Sequence, residues 1–232
     1  NFQQSLYQLQ HAKFPVVSCP SGLAIGGGYE VISQTSFIAA HSNSVLGLVE
    51  SLVGLIPAGG GCKEMLRRWA NHSDIKNDPK QLSLKVFNLI GYATTADSPI
   101  KAKAQQFLGK QDIMVMSKDR LIEEADKIIF SNKENYSSLD SATFSLPGST
   151  VMSDMMDILY ELKDKKVIGE HGIEVGKKLG YMLSGGNTTP STILTEQNLY
   201  DLEREIFIDL ISQKPTQQRI RHTLDTGKPL FN

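Results

Sequence analysis

Apolar residues come in short bursts between glycine-rich and polar stretches in the first half of the chain, and at helical spacing in the second. Leu6 and Leu9 in a polar setting predict an amphipathic helix over residues 3–12, which Pro15 stops. The run Pro15–Cys19 reads as a short buried strand, Gly22–Gly28 as the turn behind it, Tyr29–Gln34 as a helix and Phe37–Ala40 as another buried strand. Strand, glycine turn, helix, strand predicts an α/β core with its glycines at a strand's carboxyl end, where ligands gather.

Further on, Ser44–Leu55 alternates weakly, with Glu50 placed on a short helical turn. Pro57 and Gly59–Gly61 form a second tight turn, and a helix runs from it to about Trp69 with Lys63, Arg67 and Arg68 expected on its exposed face. Residues 71–81 read as a surface loop, Ser83–Ile90 as a helix or a strand, and Ile113–Met116 as a short element. A helix follows that Ser117 could cap, with Asp119 in its first turn and Leu121, Ala125 and Ile128 on one face. The polar, Ser- and Asn-rich Asn132–Thr150 is the expected linker and domain boundary. Beyond it an all-helical part is expected. Its first helix carries Val151, Met152, Met155, Met156, Leu159 and Leu162, its second spans Gly172–Leu183, and its third spans Leu199–Ile211 with Leu202, Ile206 and Leu210 inward. A short helix and a tail fill 216–232.

Composition narrows the classes. With 40% hydrophobic and 21% charged residues the 232-residue chain is that of a soluble globular protein. Its 24 Lys and Arg against 25 Asp and Glu argue against a nucleic-acid partner, while leaving room for a local basic patch on a phosphorylated ligand. No apolar run reaches transmembrane length, and the first residues lack the apolar core of a signal peptide. Cys19 and Cys62 read as reduced core residues, and the five histidines lack ligand spacing, so no metal is expected. The chain begins without Met in what reads as mid-helix, and is expected to be a piece of a longer polypeptide.

Two carboxylates, Glu30 and Glu50, stand near the glycine triplets Gly26–Gly28 and Gly59–Gly61 in a stretch otherwise poor in charge. Brought to one pocket they could divide acid and base roles. Spacing alone leaves that reading beside the plainer one of helix-start or surface glutamates. The triplets could equally serve close helix–strand packing, and neither continues into a P-loop or a dinucleotide fingerprint.

The block Phe14–Trp69 resembles the centre of the enoyl-CoA hydratase/isomerase (crotonase) superfamily. Its elements stand in order: the PVV strand at Pro15–Val17, G-x-A-x-GGG-x-E at Gly22–Glu30, IAA at Ile38–Ala40, the segment Leu46–Glu50, and G-x-IP-x-GGG at Gly54–Gly61. Ile168–Gly186, Leu194–Phe207 and Thr223–Asn232 resemble the end of multifunctional fatty-acid oxidation proteins in which a 3-hydroxyacyl-CoA dehydrogenase part precedes the hydratase part. The resemblance implies a partial crotonase-like spiral of strand-strand-helix units over residues 1–131, the linker 132–150, and a helical extension over 151–232. It implies Glu30 and Glu50 as catalytic, the N–H of Gly27 as one donor of an oxyanion hole, and Gly26, Leu48, Pro57 and Gly59 as substrate contacts. The implied substrate is a coenzyme A thioester, hydrated in β-oxidation in the cytoplasm, and Lys63, Arg67 and Arg68 could reach a phosphate of coenzyme A. No cofactor is expected in this chain; NAD would belong to an upstream dehydrogenase part, and a thiolase subunit is a possible partner. Enoyl-CoA isomerisation and a purely structural docking role are the alternatives. The chain departs from the family pattern at Leu48-Val49, where hydratases commonly have Gln-Pro, and at Tyr29 and Cys62. With the other oxyanion donor implied upstream, this chain alone is expected to hydrate enoyl-CoA poorly.

Overall fold

The computed structural model describes residues 2–75 and 77–232, so Asn1 and, within the expected 71–81 loop, Lys76 lie outside the described residues. The chain opens with α1 (Phe2–Gln10), β1 (Val17–Ser18), β2 (Leu23–Ile25), α2 (Gly27–Ser33), β3 (Phe37–His41) and β4 (Val45–Gly47). A 3-10 turn over Glu50–Val53 leads to α3 (Gly61–Ala70) and α4 (Pro79–Gly91). Then come β5 (Thr95–Ala96), α5 (Pro99–Ala104), β6 (Ile113–Val115), α6 (Leu121–Asn132) and β7 (Thr143–Ser145). The last part holds α7 (Met152–Asp164), α8 (Glu170–Leu183), β8 (Ile193–Thr195), α9 (Glu196–Ser212) and α10 (Lys214–Thr226).

The strands repeat in pairs. β1 pairs parallel with β3 and β2 parallel with β4, so the unit β1-β2-α2 is stacked on the next strand pair in the same register sense. Parallel pairing demands a crossover, and α2 is that crossover. β6 extends the first sheet to the order β1-β3-β6, and β5 closes the second as an antiparallel edge on β4. The fold is thus α/β, a partial crotonase-type spiral of strand-strand-helix units with a helical carboxyl-terminal part.

Several expectations change. The supposed turn Gly22–Gly28 contains β2, a strand too short for its alternation to register. Ser83–Ile90 lies in α4, whose start Asp78 caps by accepting from the N–H of Lys80 and Gln81. Ser117 caps nothing with its side chain, because a 3-10 turn at Lys118–Arg120 intervenes before α6. The segment 132–150 is no plain linker: Phe144 and Leu146 are buried, and β7 pairs antiparallel with β8, so the carboxyl-terminal part is helical apart from β8.

One continuous apolar cluster runs from Tyr29, Ile38 and Leu46 through Met65, Trp69 and Ile90 to Met155, Leu179, Leu199 and Leu210. The carboxyl-terminal helices therefore cover the strand-bearing part. Polar ties accompany the contact: Ser83 donates to the carbonyl of Leu183 at 2.8 Å, and Thr216 to that of Gly54 at 3.0 Å. Among the described residues no helix is long and apolar enough to cross a membrane.

Candidate active site

The parallel register of β2 and β4 bridges the 20 residues between the two glutamates. Ile25 pairs with Gly47, and the N–H of Gly26 donates to the carbonyl of Gly47 at 2.9 Å, so the chain leaving β2 runs beside the chain that reaches Glu50. Gly26 sits at φ 57°, where a side chain would be strained, and a Cβ there would lie 3.4 Å from Glu50 Oε1. A Cβ on Gly27 or Gly28 would meet nothing within 4 Å. Both face open space at the start of α2, whose first N–H groups no side chain caps. Glu30 follows one turn into the same helix.

Glu30 is buried, and its Oε1 accepts the N–H of Gly59 at 2.7 Å and of Gly61 at 2.9 Å. These glycines make that approach possible. A Cβ on Gly59 would come within 2.8 Å of Glu30 Oε2, and one on Gly61 within 2.7 Å of Pro57 Cβ and 2.8 Å of Glu30 Oε1. Burial pushes the Glu30 carboxyl up, and the N–H groups of Gly61 and Gly59 offset part of that push. Burial also drives Glu50 up to about 8, with the nearby Glu30 charge adding and the backbone N–H groups of Glu50 and Val49 opposing. Those N–H groups lie near without hydrogen-bond geometry, leaving both Glu50 oxygens buried and unpartnered. The pair titrates as a unit, with a proton held on Glu50 at neutral pH. A neutral carboxylic acid beside a carboxylate anchored by two N–H groups can give one proton and take another.

Residues 1–77 match the family profile described as enoyl-CoA hydratase/isomerase. Over that stretch the chain is similar to the enoyl-CoA hydratase/isomerase superfamily. A Bacillus subtilis (strain 168) protein named a probable 3-hydroxyacyl-CoA dehydrogenase is 32% identical over 232 residues, 100% of this chain and 29% of the relative. A Rickettsia felis protein, named as a candidate trifunctional enzyme of a fatty acid oxidation complex, is 28% identical over 94% of this chain and 27% of its own length. The chain thus spans less than a third of these curated relatives. Among solved structures, an enoyl-CoA hydratase/isomerase from Pseudoalteromonas atlantica T6c shares the fold at TM-score 0.57 and 13% identity, over 100% of this chain and 68% of that one.

The other positions expected at the site are mostly internal. Leu48 is fully buried, and its Cδ2 would lie 2.9 Å from a Cβ on Gly61, so it packs the glycine loop. Pro57 and Gly59 are buried as well, and the Pro57 carbonyl accepts from the Cys62 thiol at 3.6 Å.

The basic face expected on α3 is only partly exposed. Lys63 is wholly buried, its Nζ donating to Gln10 at 2.6 Å and Gln34 at 3.2 Å and pairing with Glu196 at 3.3 Å. Glu64 is buried too, and against that burial the Arg67 and Arg68 guanidiniums hold its carboxyl well below the usual range. Arg68 also donates to the carbonyl of Ser33 at 3.0 Å. With α2 and α9 packed on α3, Lys63 is paired inside the protein, while Arg67 and Arg68, both paired with Glu64, stay partly exposed.

Sequence reasoning missed a third carboxylate. Glu203 on α9, fully buried, accepts the N–H of Gly60 at 2.7 Å and of Lys63 at 2.9 Å. Burial pushes it well above the ordinary range, with the Glu30 charge adding to that push. Its signal was a glutamate within the inward stripe Leu199, Ile206, Leu210. Beside the Glu50 turn lies an apolar cavity of about 260 Å³, walled by Leu52, Phe87, Leu159, Leu162, Val175 and Phe231.

Proposed function

We propose that the chain is the carboxyl-terminal portion of a larger fatty-acid oxidation protein and carries the acid–base pair of its 2-enoyl-CoA hydratase. The observation that carries this reading is a Glu50 held neutral near pH 7 beside an N–H-anchored Glu30, both next to an open glycine turn. Glu30 orients a water through its free Oε2 and accepts a proton from it as the oxygen adds to C3 of the enoyl thioester. The electron pair moves toward the thioester oxygen, where the Gly27 N–H supports the developing charge; one such donor is worth about 3 kcal/mol. Glu50 then delivers its proton to C2. One proton passing from Glu30 back to Glu50 restores the starting pair.

The acyl chain is assigned to the apolar cavity beside the Glu50 turn, which suits methylenes and offers few polar partners. The name of the Bacillus relative supports a dehydrogenase part in the whole protein; in this reading that part lies upstream and NAD belongs with it. A thiolase subunit as partner and a cytoplasmic location belong to the same reading. The assay is the full-length protein with a 2-enoyl-CoA, products separated by chromatography. A 3-hydroxyacyl-CoA is expected; a shifted double bond without added water would make the protein an isomerase, and no conversion would leave the domain a scaffold.

A further inference from the structure

The Gly59–Gly61 loop is held by two carboxylates that take alternate N–H groups. Glu30 accepts from Gly59 and Gly61, while Glu203 accepts from Gly60 with one oxygen at 2.7 Å and from Lys63 with the other at 2.9 Å. Three of the N–H groups that the start of α3 leaves without internal partners, those of Gly60, Gly61 and Lys63, are thereby satisfied, together with that of Gly59 just before the helix. Gly60 stands at φ 103°, a conformation that favours glycine, and a Cβ there would lie 2.8 Å from the Tyr200 ring, one turn before Glu203 on α9. Helix α9 thus presses on the loop with an aromatic face and binds it with a carboxylate. It is supplied by a part of the chain some 140 residues beyond the loop.

We propose that Glu203 is a positioning residue of the hydratase site, clasping the Gly59–Gly61 loop so that Glu30 presents its Oε2 to the reacting water. This inference rests on the hydratase reading above. The loop is the sole hydrogen-bonding support of the Glu30 carboxyl among the described residues, so its placement decides where the free oxygen points. A glutamine at 203 keeps one acceptor and turns an N–H₂ toward the other backbone N–H, two donors face to face. An aspartate keeps the carboxyl group but falls short by one carbon–carbon bond. Both loosen the loop without touching Glu30.

The test is steady-state hydration by the full-length protein carrying Glu203→Gln, Glu203→Asp, Glu30→Gln and the double change Glu30→Gln/Glu203→Gln. Either change at 203 is expected to lower kcat by ~10-fold or more with KM within ~2-fold, because misplacing a catalytic group weakens the chemical step rather than binding. In the Glu30→Gln background the same Glu203→Gln change is expected to leave kcat within ~2-fold, the non-additivity of residues acting as one unit. Leu210→Ala, which loosens α9 away from the loop, is expected to lower the Tm and spare kcat. An unchanged kcat in Glu203→Gln or Glu203→Asp overturns the proposal. So does a loss that multiplies equally in both backgrounds, or one matched by Leu210→Ala. Should Glu203→Gln not fold, Glu203→Asp carries the test. A Glu30→Gln protein that hydrates normally overturns the hydratase reading itself, and this inference with it.

Discussion

Glu50→Gln is predicted to make the protein more stable at neutral pH while disabling it. The Glu50 carboxyl has a folded pKa near 8 against an ordinary value of 4.5, so the folded state prefers its protonated form. A group raised in this way contributes stability that is full below 4.5 and is lost as pH climbs toward 8. At about 1.4 kcal/mol per unit of pKa, keeping the proton at pH 7 costs ~3 kcal/mol, and at pH 5 only ~1 kcal/mol. Glutamine removes the titration while keeping the shape. Its amide brings a solvation cost of its own, but that cost does not vary with pH, so the quantity to read is the change in ΔΔG between the two pH values. Urea unfolding of the 232-residue chain and its Glu50→Gln variant should give a relative stabilisation larger at pH 7 than at pH 5 by ~2 kcal/mol. A difference that does not depend on pH would refute the claim that burial holds Glu50 protonated.

Three further outcomes follow from the packing around the site. Gly61→Ala forces a methyl against Pro57 and Glu30 Oε1; a loss of about 1–3 kcal/mol in urea unfolding is expected together with reduced hydration, and a neutral result would mean the loop has slack. Lys63→Met leaves the buried Glu196 paired only with His11, at 3.0 Å, and is expected to cost about 3 kcal/mol; adding Glu196→Gln should return part of it, and no recovery would argue against the ion pair as the cause. The 232-residue chain alone is expected to hydrate 2-enoyl-CoA at least ~10²-fold more slowly than the full-length protein, the loss of an oxyanion donor being of that size. Equal rates would contradict the placing of the second donor outside this chain.

How far the fold could be read from the residues depended on whether the signal was local. Short apolar bursts set between glycines located β1, α2 and β3, since each is confined to a few residues and bounded by strong breakers. β2 and β7 could not be read this way. Each has three residues, and each exists because a partner strand lies beside it, β4 at Val45–Gly47 and β8 at Ile193–Thr195. The glutamate pair was legible as an ordered motif, yet its meeting depends on the β2–β4 register, which spacing does not encode. Lys63 failed for the same reason. A lysine on an amphipathic helix is ordinarily solvated, and Gln10, Gln34 and Glu196, arriving from three distant segments, help make its burial tolerable. Glu203 lay in plain view on an apolar stripe, a placement whose reason appears only once the loop N–H groups it serves are in position.

The measurement that bears most directly on the central claim is the hydration of a medium-chain 2-enoyl-CoA by the full-length protein with and without Glu50→Gln. If Glu50 donates the proton to C2, the variant loses ~10²-fold or more in kcat with its fold intact. An unchanged rate would contradict the account, leaving two buried carboxylates at an open glycine turn as inherited architecture and placing the chemistry elsewhere.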